Sequence, residues 1–346
     1  SKKLEEILKT NEPAAGNDVY LTIDADLQKT CYDLLERRIA SVLLNALRAG
    51  NAKSKVKMDD VFYALFNNGV IDITKLNEDD STALEKSVYQ KFQTEQKAVF
   101  GSLKRELSID NKIATKSLSK EQKEYISYIY KMLKEQKILL TSQIPEDDAT
   151  LASFNDEKIS MSTFLKYAIS NNYIDLNKLD VGKEYYSTGE LYEKLLDYIV
   201  DILRNDSKFN KIIYHSLVYS YKISGKEICL LLFDQSVLKY DEKAINGLEA
   251  STITPSSFLL SKIRNLEITP AQLALEPCSG SLVVTDVKTG EVRALVSYPG
   301  YDNNKLANRV DSEYFTKLMN DGSLPIINRP LQQKTAPGST YKMVSS

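Results

Sequence analysis

The sequence has a single histidine, three cysteines and no long apolar run, and each shortage excludes a class of function. His215 stands alone in an apolar, helix-like stretch. It therefore rules out a Ser-His relay built with a second histidine and argues against a zinc site. We expect His215 to be a structural residue. No apolar run reaches the roughly 18 residues that a membrane-spanning helix needs, so the chain itself is not expected to cross a bilayer.

The cysteines and the charge balance exclude further classes of function. Cys31, Cys229 and Cys278 lack the close spacing of metal ligands. Cys31 falls on an apolar helix face and Cys229 in an apolar run, so we expect buried thiols rather than a disulfide. The formal net charge of −2, with 27% charged residues, leaves no basic stripe for nucleic acid. We expect no metal, no cofactor and no nucleic-acid partner.

The long middle segment, roughly residues 50–270, is rich in Lys, Glu, Tyr and Leu and poor in Gly and Pro. Its apolar residues recur at intervals of three and four, which predicts helices. The run 228–233 fits either a buried strand or the end of a helix. The bulk predicts a helical domain that is large enough to bury its own core. The predicted helices are 59–67, 78–107, 119–140, 161–170, 188–204, 207–222 and 255–266.

A weak internal repeat lies within this segment. Residues 63–76 resemble residues 167–179, and each copy predicts a helix end, an Asn-rich C-cap and a short extended exit. Two copies about a hundred residues apart indicate a duplicated helical subdomain. The carboxylates of this segment stand at predicted helix starts, where capping explains them. Its tyrosines recur at helical spacing, which favours packing, so nothing in the segment predicts chemistry.

Both ends of the chain carry sheet signals. Residues 280–298 hold two β-branched runs around a short turn that ends in Gly290, which predicts a hairpin. Near the other end, Val19 to Ile23 predicts a short strand. Asp24 then caps a predicted helix over 24–48, whose apolar residues recur at helical spacing. We expect the strand to pair beside the hairpin, because both must share one sheet for the helices to cover.

The run Pro-Gly-Ser-Thr-Tyr-Lys at 337–342 contains a Ser-x-x-Lys pair. A turn set by Pro337 and Gly338 predicts a helix start with Ser339 in its first turn. Side chains three residues apart share a helix face, about 5–6 Å apart at their Cβ atoms. Lys342 can then reach the Ser339 hydroxyl, as a serine nucleophile requires where no histidine is available. The amine acts as a base only if burial lowers its pKa towards neutrality.

Four motifs in this order resemble the transpeptidase domain of class B penicillin-binding proteins. They are Leu-Thr-Ile-Asp with a following Leu-Gln (21–28), the 284–299 hairpin, Asn328-Arg329 and the 337–342 run, in which tyrosine replaces the family's phenylalanine. The resemblance covers about residues 12–40 and 276–346. It implies a D,D-transpeptidase that cross-links peptidoglycan stem peptides through an acyl-serine and that β-lactams acylate. It makes Ser339 the nucleophile, Lys342 its base or proton relay, and the Ser339 N–H half of an oxyanion hole.

The family also needs a Ser-x-Asn and a Lys-Thr/Ser-Gly motif after the nucleophile, and neither follows Ser339 here. Lys288-Thr289-Gly290 precedes the serine and falls in the hairpin turn. Ser153-Phe154-Asn155 falls in a predicted polar loop, and we read both matches as chance. The sequence therefore predicts the N-terminal part of a transpeptidase that is cut just past its nucleophile and is inactive as written. The family's membrane anchor is also expected to lie outside this chain.

We predict an α+β fold, in which an incomplete transpeptidase α/β sandwich is interrupted by a mainly α-helical insertion domain. The sandwich would combine Val19–Ile23, the hairpin, helix 24–48 and the helix at Ser339. The predicted boundaries are a linker at 1–16, a first transpeptidase segment at 17–48, the insertion at 49–270 and a second segment at 271–346.

The predicted function of the parent is peptidoglycan cross-linking at the extracytoplasmic face of the cell membrane. Its expected partners are stem peptides and β-lactams, with cell-wall synthesis proteins on the insertion and the membrane reached only through the absent anchor. The alternative is a scaffold or β-lactam sensor whose insertion binds a partner. A serine β-lactamase is a third hypothesis, which the 21–28 motif and the insertion disfavour.

Overall fold

The computed structural model describes residues 16–48, 56–179 and 186–345. It is mostly helical with one two-stranded antiparallel sheet, which fits the predicted α+β class. The chain divides into two compact units. Unit 1 comprises Ser1–Ile39 and Ser279–Ser346, and unit 2 comprises Ala40–Cys278. The predicted linker at 1–16 lies outside the described residues except for Gly16.

The regular elements follow the chain in this order. The strands are β1 Gly280–Thr285 and β2 Val292–Tyr298. The helices are α1 Ala25–Arg48, α2 Met58–Asn67, α3 Ala83–Glu106, α4 Lys120–Glu135, α5 Ala149–Asn155, α6 Met161–Ser170, α7 Thr188–Asn205, α8 Ser207–Tyr219, α9 Gly225–Asp234, α10 Glu242–Glu249, α11 Pro255–Arg264, α12 Pro270–Leu273, α13 Ser312–Asn320, α14 Arg329–Gln332 and α15 Lys342–Ser345.

In unit 1, the start of α1 packs on one face of the hairpin. Asp24 caps the helix as predicted, because its Oδ1 accepts a 2.9 Å hydrogen bond from the Leu27 amide. Cys31 on α1 is buried with Ala294 and Val296 of β2, and partly buried apolar side chains surround this small core. The strands pair in the register Gly280↔Tyr298 to Val284↔Ala294. The predicted hairpin is confirmed.

The strand predicted at Val19 to Ile23 is wrong. The segment has no regular secondary structure, and Val19, Tyr20 and Leu21 are exposed. It meets β2 through the Thr22 hydroxyl, which donates to the Val292 carbonyl at 2.7 Å, and through the Asp24 amide, which donates to the Arg293 carbonyl at 2.9 Å. Further along the same edge, β2 is hydrogen-bonded to a side chain of α1 instead. Residues 19–23 therefore do not form a continuous ladder of backbone hydrogen bonds with β2.

Unit 2 buries one continuous apolar core that draws on helices from α2 to α12. Tyr214 of α8 lies between two aromatic rings, with centroids 4.9 Å from Phe66 of α2 and 4.8 Å from Phe92 of α3. Both pairs are stacked nearly parallel. His215 contacts the rings of Tyr63 and Tyr219, at centroid distances of 4.7 and 4.2 Å. It therefore packs among aromatic side chains, as expected for a structural residue.

All three cysteines lie within the described ranges, are buried and form no disulfide, as predicted. The seven predicted helices correspond to α2, α3, α4, α6, α7, α8 and α11. The ambiguous run 228–233 is helical and belongs to α9. The elements α5, α10 and α12 were not predicted, and Ser153-Phe154-Asn155 belongs to α5 rather than to a loop. Phe154 explains that helix, because it is buried and stacks on Phe164 at 4.5 Å.

Several helices of unit 2 end in the same capping device, but α3 and α7 do not. A residue just after the helix takes positive φ, and an aliphatic residue two positions later turns back into the core. In the last part of the unit this device recurs every 15 residues, with positive φ at Tyr221, Ser236, Ser251 and Leu266. Such left-handed caps satisfy the last helical carbonyls, as in the bond from the Glu267 amide to the Lys262 carbonyl (2.9 Å).

The predicted repeat contains the same device. Gly69 follows α2 with φ of +69° and Asn172 follows α6 with φ of +59°, each after an Asn C-cap. Buried Ile71 and Ile174 come next. The predicted helix end and Asn cap are therefore confirmed in both copies, and an extended exit that forms a β-bridge is found in the second copy, at Ile174. Because the device also occurs in tandem elsewhere in unit 2, it is not confined to one duplicated pair.

Candidate active site

The segment that leads to the Ser-x-x-Lys pair is anchored on the hairpin by Arg329. This side chain is 5% exposed, and its guanidinium donates to the carbonyl oxygens of Ser323 (2.6 Å) and Leu324 (3.0 Å). Its backbone amide donates to the Ser297 hydroxyl of β2 at 3.3 Å, and that hydroxyl donates to the Ile327 carbonyl at 2.9 Å. The guanidinium of Arg329 thus holds the loop before α14, and its backbone amide ties this loop to the sheet.

The sequence shows Asn328-Arg329 as part of a motif but gives neither residue a role. The structure supplies a physical role for the arginine. A guanidinium has several donors in a fixed plane, so one side chain can satisfy several loop carbonyls that a neutral residue would leave unpaired. Its contacts depend on how residues 323–327 fold, which the sequence pattern does not reveal.

Ser339 and Lys342 lie on a tight turn. Gly338–Tyr341 forms a 3₁₀ helix that leads directly into α15, and the Lys342 amide donates to the Ser339 carbonyl. A 3₁₀ helix has three residues per turn, so side chains three positions apart are eclipsed. Gly338 adopts φ of +59°, and among the described residues, its two chain neighbours aside, no atom lies within 4 Å of where its Cβ would be. The backbone conformation at this position, rather than crowding, therefore explains why it is a glycine.

Both members of the pair are exposed. The burial that a lysine base requires is therefore not supplied around Lys342 by the residues that the structure describes. The turn brings Ser339 and Lys342 onto one face, and their catalytic roles stay a prediction. Ser339 lies in the first turn of the helical segment, where backbone N–H groups have no acceptor within a helix.

The Lys288-Thr289-Gly290 tripeptide lies in the turn between β1 and β2, as predicted. Asp286 organises that turn, because its Oδ1 accepts from the amides of Lys288 (2.8 Å) and Thr289 (3.1 Å). These two bonds lower the pKa of the Asp286 carboxyl. The tripeptide therefore has a local structural explanation.

Within ranges 16–48, 56–179 and 186–345, no three His, Cys, Asp or Glu side chains come together in a way that would hold a metal ion. No helix in these ranges is long and apolar enough to cross a membrane.

Known proteins resemble the second half of unit 1. The family model described as "Penicillin binding protein transpeptidase domain" matches residues 280–346. Peptidoglycan D,D-transpeptidase PbpA of Mycolicibacterium smegmatis is 37% identical over 73 residues, which are 20% of this chain and 15% of that protein. Peptidoglycan D,D-transpeptidase MrdA of Escherichia coli K12 is 44% identical over 62 residues, 18% of this chain and 10% of the relative.

A longer match joins these two. MrdA of Haemophilus influenzae is 25% identical over 194 residues, 53% of this chain and 25% of that protein. No solved structure matches the chain significantly. The chain thus spans a quarter or less of the length of these three curated relatives. The resemblance that the motifs carried is confirmed, and residues 280–346 form a transpeptidase region of the class B penicillin-binding-protein type.

Proposed function

We propose that this chain is part of a peptidoglycan D,D-transpeptidase that works through an acyl-serine at Ser339 and is acylated by β-lactams. The observation that carries the proposal is the family match over residues 280–346. The matched region includes the 3₁₀ turn that brings the side chains of Ser339 and Lys342 onto one face. The relatives that match are named as peptidoglycan D,D-transpeptidases, which indicates the reaction class.

In the proposed reaction, the Ser339 Oγ attacks the carbonyl carbon of a stem-peptide amide while Lys342 Nζ takes its proton. The C–N bond then breaks, the leaving amine receives a proton, and the acyl group remains on Ser339. An amine of a second stem peptide then attacks that ester, the new C–N bond forms the cross-link, the C–O bond to Ser339 breaks, and a proton from the incoming amine restores the Ser339 hydroxyl. The N–H of Ser339 would stabilise the oxyanion, a contribution that is typically worth 10²–10³ in rate.

This function places the parent protein at the extracytoplasmic face of the cell membrane, where stem peptides are cross-linked. The 49–270 segment would be a helical insertion domain within the transpeptidase fold. Two observations support a separate insertion domain. The segment has its own apolar core, and it lies within compact unit 2, Ala40–Cys278.

The test is covalent labelling of the full-length gene product with a fluorescent penicillin. We expect label on the wild type and none on Ser339→Ala, while Ser312→Ala, an exposed serine at the start of α13, keeps full labelling. Label that persists in Ser339→Ala would place the reactive group elsewhere. A folded wild-type protein that takes no label would refute the acyl-serine proposal.

A second candidate function is supported by the tandem caps of unit 2. Repeated helical units that stack on their neighbours often provide binding surfaces, and positive φ at Tyr221, Ser236 and Ser251 marks such a repeat here. The insertion would then bind a cell-wall synthesis protein, and the parent would act as a scaffold or β-lactam sensor. Deleting residues 55–265 from the parent tests this role, since unchanged localisation and growth would count against it.

A further inference from the structure

A cavity of about 480 Å³ opens in unit 2, beside the end of α7 and the start of α8. Its volume falls within the range of small-molecule sites. The 3₁₀ turn Lys75–Asn77 and one face of α3 complete its wall. No motif in the sequence pointed to it, because its lining comes from segments that are far apart in the chain.

Tyr214 is a buried residue with a polar group that lines this cavity. The side chain lines the cavity and is 1% exposed, and its two ring faces are covered by Phe66 and Phe92. Among the described residues, none makes a hydrogen bond with the hydroxyl. Burial, with the neighbouring Tyr89 phenol, raises the pKa of Tyr214, so the group stays a neutral donor. A tyrosine hydroxyl in such a place usually bonds to a partner, and in this cavity either water or a ligand can supply it.

The charges around the cavity favour a carboxylate. Arg204, in the last turn of α7, lines the cavity and forms no ion pair with any described residue. No Asp or Glu belongs to the described lining. The nearby Asp206 is already committed, because it caps α8 through the Lys208 and Phe209 amides and accepts from the Tyr128 hydroxyl at 2.5 Å. A guanidinium pairs with a carboxylate through two parallel hydrogen bonds.

Amide side chains lie next to this cation. Gln96 Nε2 donates to Asn210 Oδ1 at 3.1 Å and contacts the Arg204 carbonyl at 3.4 Å. This pairing leaves the Gln96 carbonyl as an acceptor and the Asn210 NH₂ as a donor. An acylamino group carries one donor and one acceptor, and so it matches both.

We propose that this cavity binds a small polar molecule with a carboxylate on Arg204 and an acylamino group against Gln96, Asn210 and the Tyr214 hydroxyl. An acylated amino-sugar acid and an acylated peptide with a free carboxyl end share this chemistry. The choice of these two sources as cell-wall fragments rests on the proposed function, whereas the cavity and its polar groups do not.

In the experiment, the 346-residue chain is titrated with two matched pairs of probes at millimolar concentration, and calorimetry measures the binding. N-acetylmuramic acid is compared with N-acetylglucosamine, which lacks the carboxylate. N-acetyl-alanyl-alanine is compared with its C-terminal amide. We expect at least one acid to bind about ten-fold more tightly than its uncharged partner, and the acid that does so identifies the source.

Variants locate the binding. Arg204→Gln should remove the preference for the acid, and Tyr214→Phe, which keeps the ring, should weaken binding several-fold. Arg264→Gln is the matched control, because it removes an exposed arginine from the last turn of another helix, α11, and should change nothing. Circular dichroism confirms that each variant is folded.

Two results would overturn the proposal. One is a folded wild-type chain that binds neither acid. The other is binding that Arg204→Gln and Tyr214→Phe leave unchanged. Penicillin labelling reports on Ser339 separately, so failure of the transpeptidase proposal and failure of this site give different results.

Discussion

The side chain of Gln28 on α1 bonds to Leu295 of β2 as a neighbouring strand would. Gln28 Nε2 donates to the Leu295 carbonyl at 2.8 Å, and the Leu295 amide donates to Gln28 Oε1 at 2.7 Å. The primary amide thus satisfies both backbone groups of one residue. This relationship gives a physical role to the glutamine of the 21–28 motif, which the sequence alone left without one.

Replacing Gln28 by Ala should expose the Leu295 amide to solvent. Two hydrogen bonds are lost and two backbone groups are left unsatisfied, so we expect exchange at this amide to become about ten-fold faster or more. Residue-resolved hydrogen exchange measures it. Gln333→Ala, an exposed glutamine of the same unit, is the control. Equal protection of Leu295 in the two variants would contradict the strand-like role.

Arg329→Met should loosen the loop at 321–327 while keeping a side chain of similar length. The carbonyls of Ser323 and Leu324 lose a charged donor, which we expect to cost about 3 kcal/mol of local stability. Exchange mass spectrometry of the loop peptide tests this. Arg309→Met, at an exposed arginine, should leave the peptide unchanged. In the full-length protein, we also expect slower labelling of Ser339 by penicillin.

The same change of Ser to Gly should have opposite effects at two exposed positions of unit 2. Ser251 has φ of +58° after α10, where glycine carries no steric cost, so Ser251→Gly should raise the free energy of unfolding by about 0.5–1 kcal/mol. Ser261 lies inside α11, so Ser261→Gly should lower it by about 0.5 kcal/mol. Urea unfolding of both variants gives the two signs. A loss of stability in Ser251→Gly would show that the cap does not bear this strain.

Stability should fall in alkali because of Cys229. Burial raises the pKa of its thiol to about 12 from 9.0. Above about pH 9 the unfolded thiol loses a proton that the folded thiol keeps, so the free energy of unfolding falls as pH rises. The slope should reach about 1.4 kcal/mol per pH unit for this group.

The Cys229→Ala variant isolates this contribution. Urea unfolding of wild type and variant from about pH 8 to about pH 10.5 should give a shallower decline for the variant. The tyrosines of raised pKa are present in both proteins, so their effect cancels in the comparison. Parallel declines would mean that Cys229 titrates normally in the fold.

The sequence predicted the elements that local signals specify. The hairpin is encoded by β-branched runs around a Gly turn, and α1 by the Asp24 cap and its apolar spacing. Two helix ends were predicted too late, since α4 ends at Glu135 rather than at 140 and α11 at Arg264 rather than at 266. The reason is that Lys137 and Leu266, residues without the usual signature of a stop, adopt the left-handed cap. The strand at Val19 to Ile23 failed because pairing depends on an edge that Gln28 takes in part.

The candidate site was predictable only as far as it is contiguous. Ser339 and Lys342 are three residues apart, so backbone periodicity alone relates them. The anchoring of Arg329 requires the fold of a separate loop. The unit 2 cavity joins Gln96 to Arg204 and Tyr214, and only the packed helices bring these residues together.

The most direct test of the central claim is to map the penicillin adduct on the full-length gene product. The labelled protein is digested, and tandem mass spectrometry locates the added mass. We expect one penicilloyl group per molecule, attached to Ser339 in the peptide that contains residues 337–341. An adduct on any other residue, or none on the folded protein, would contradict the claim.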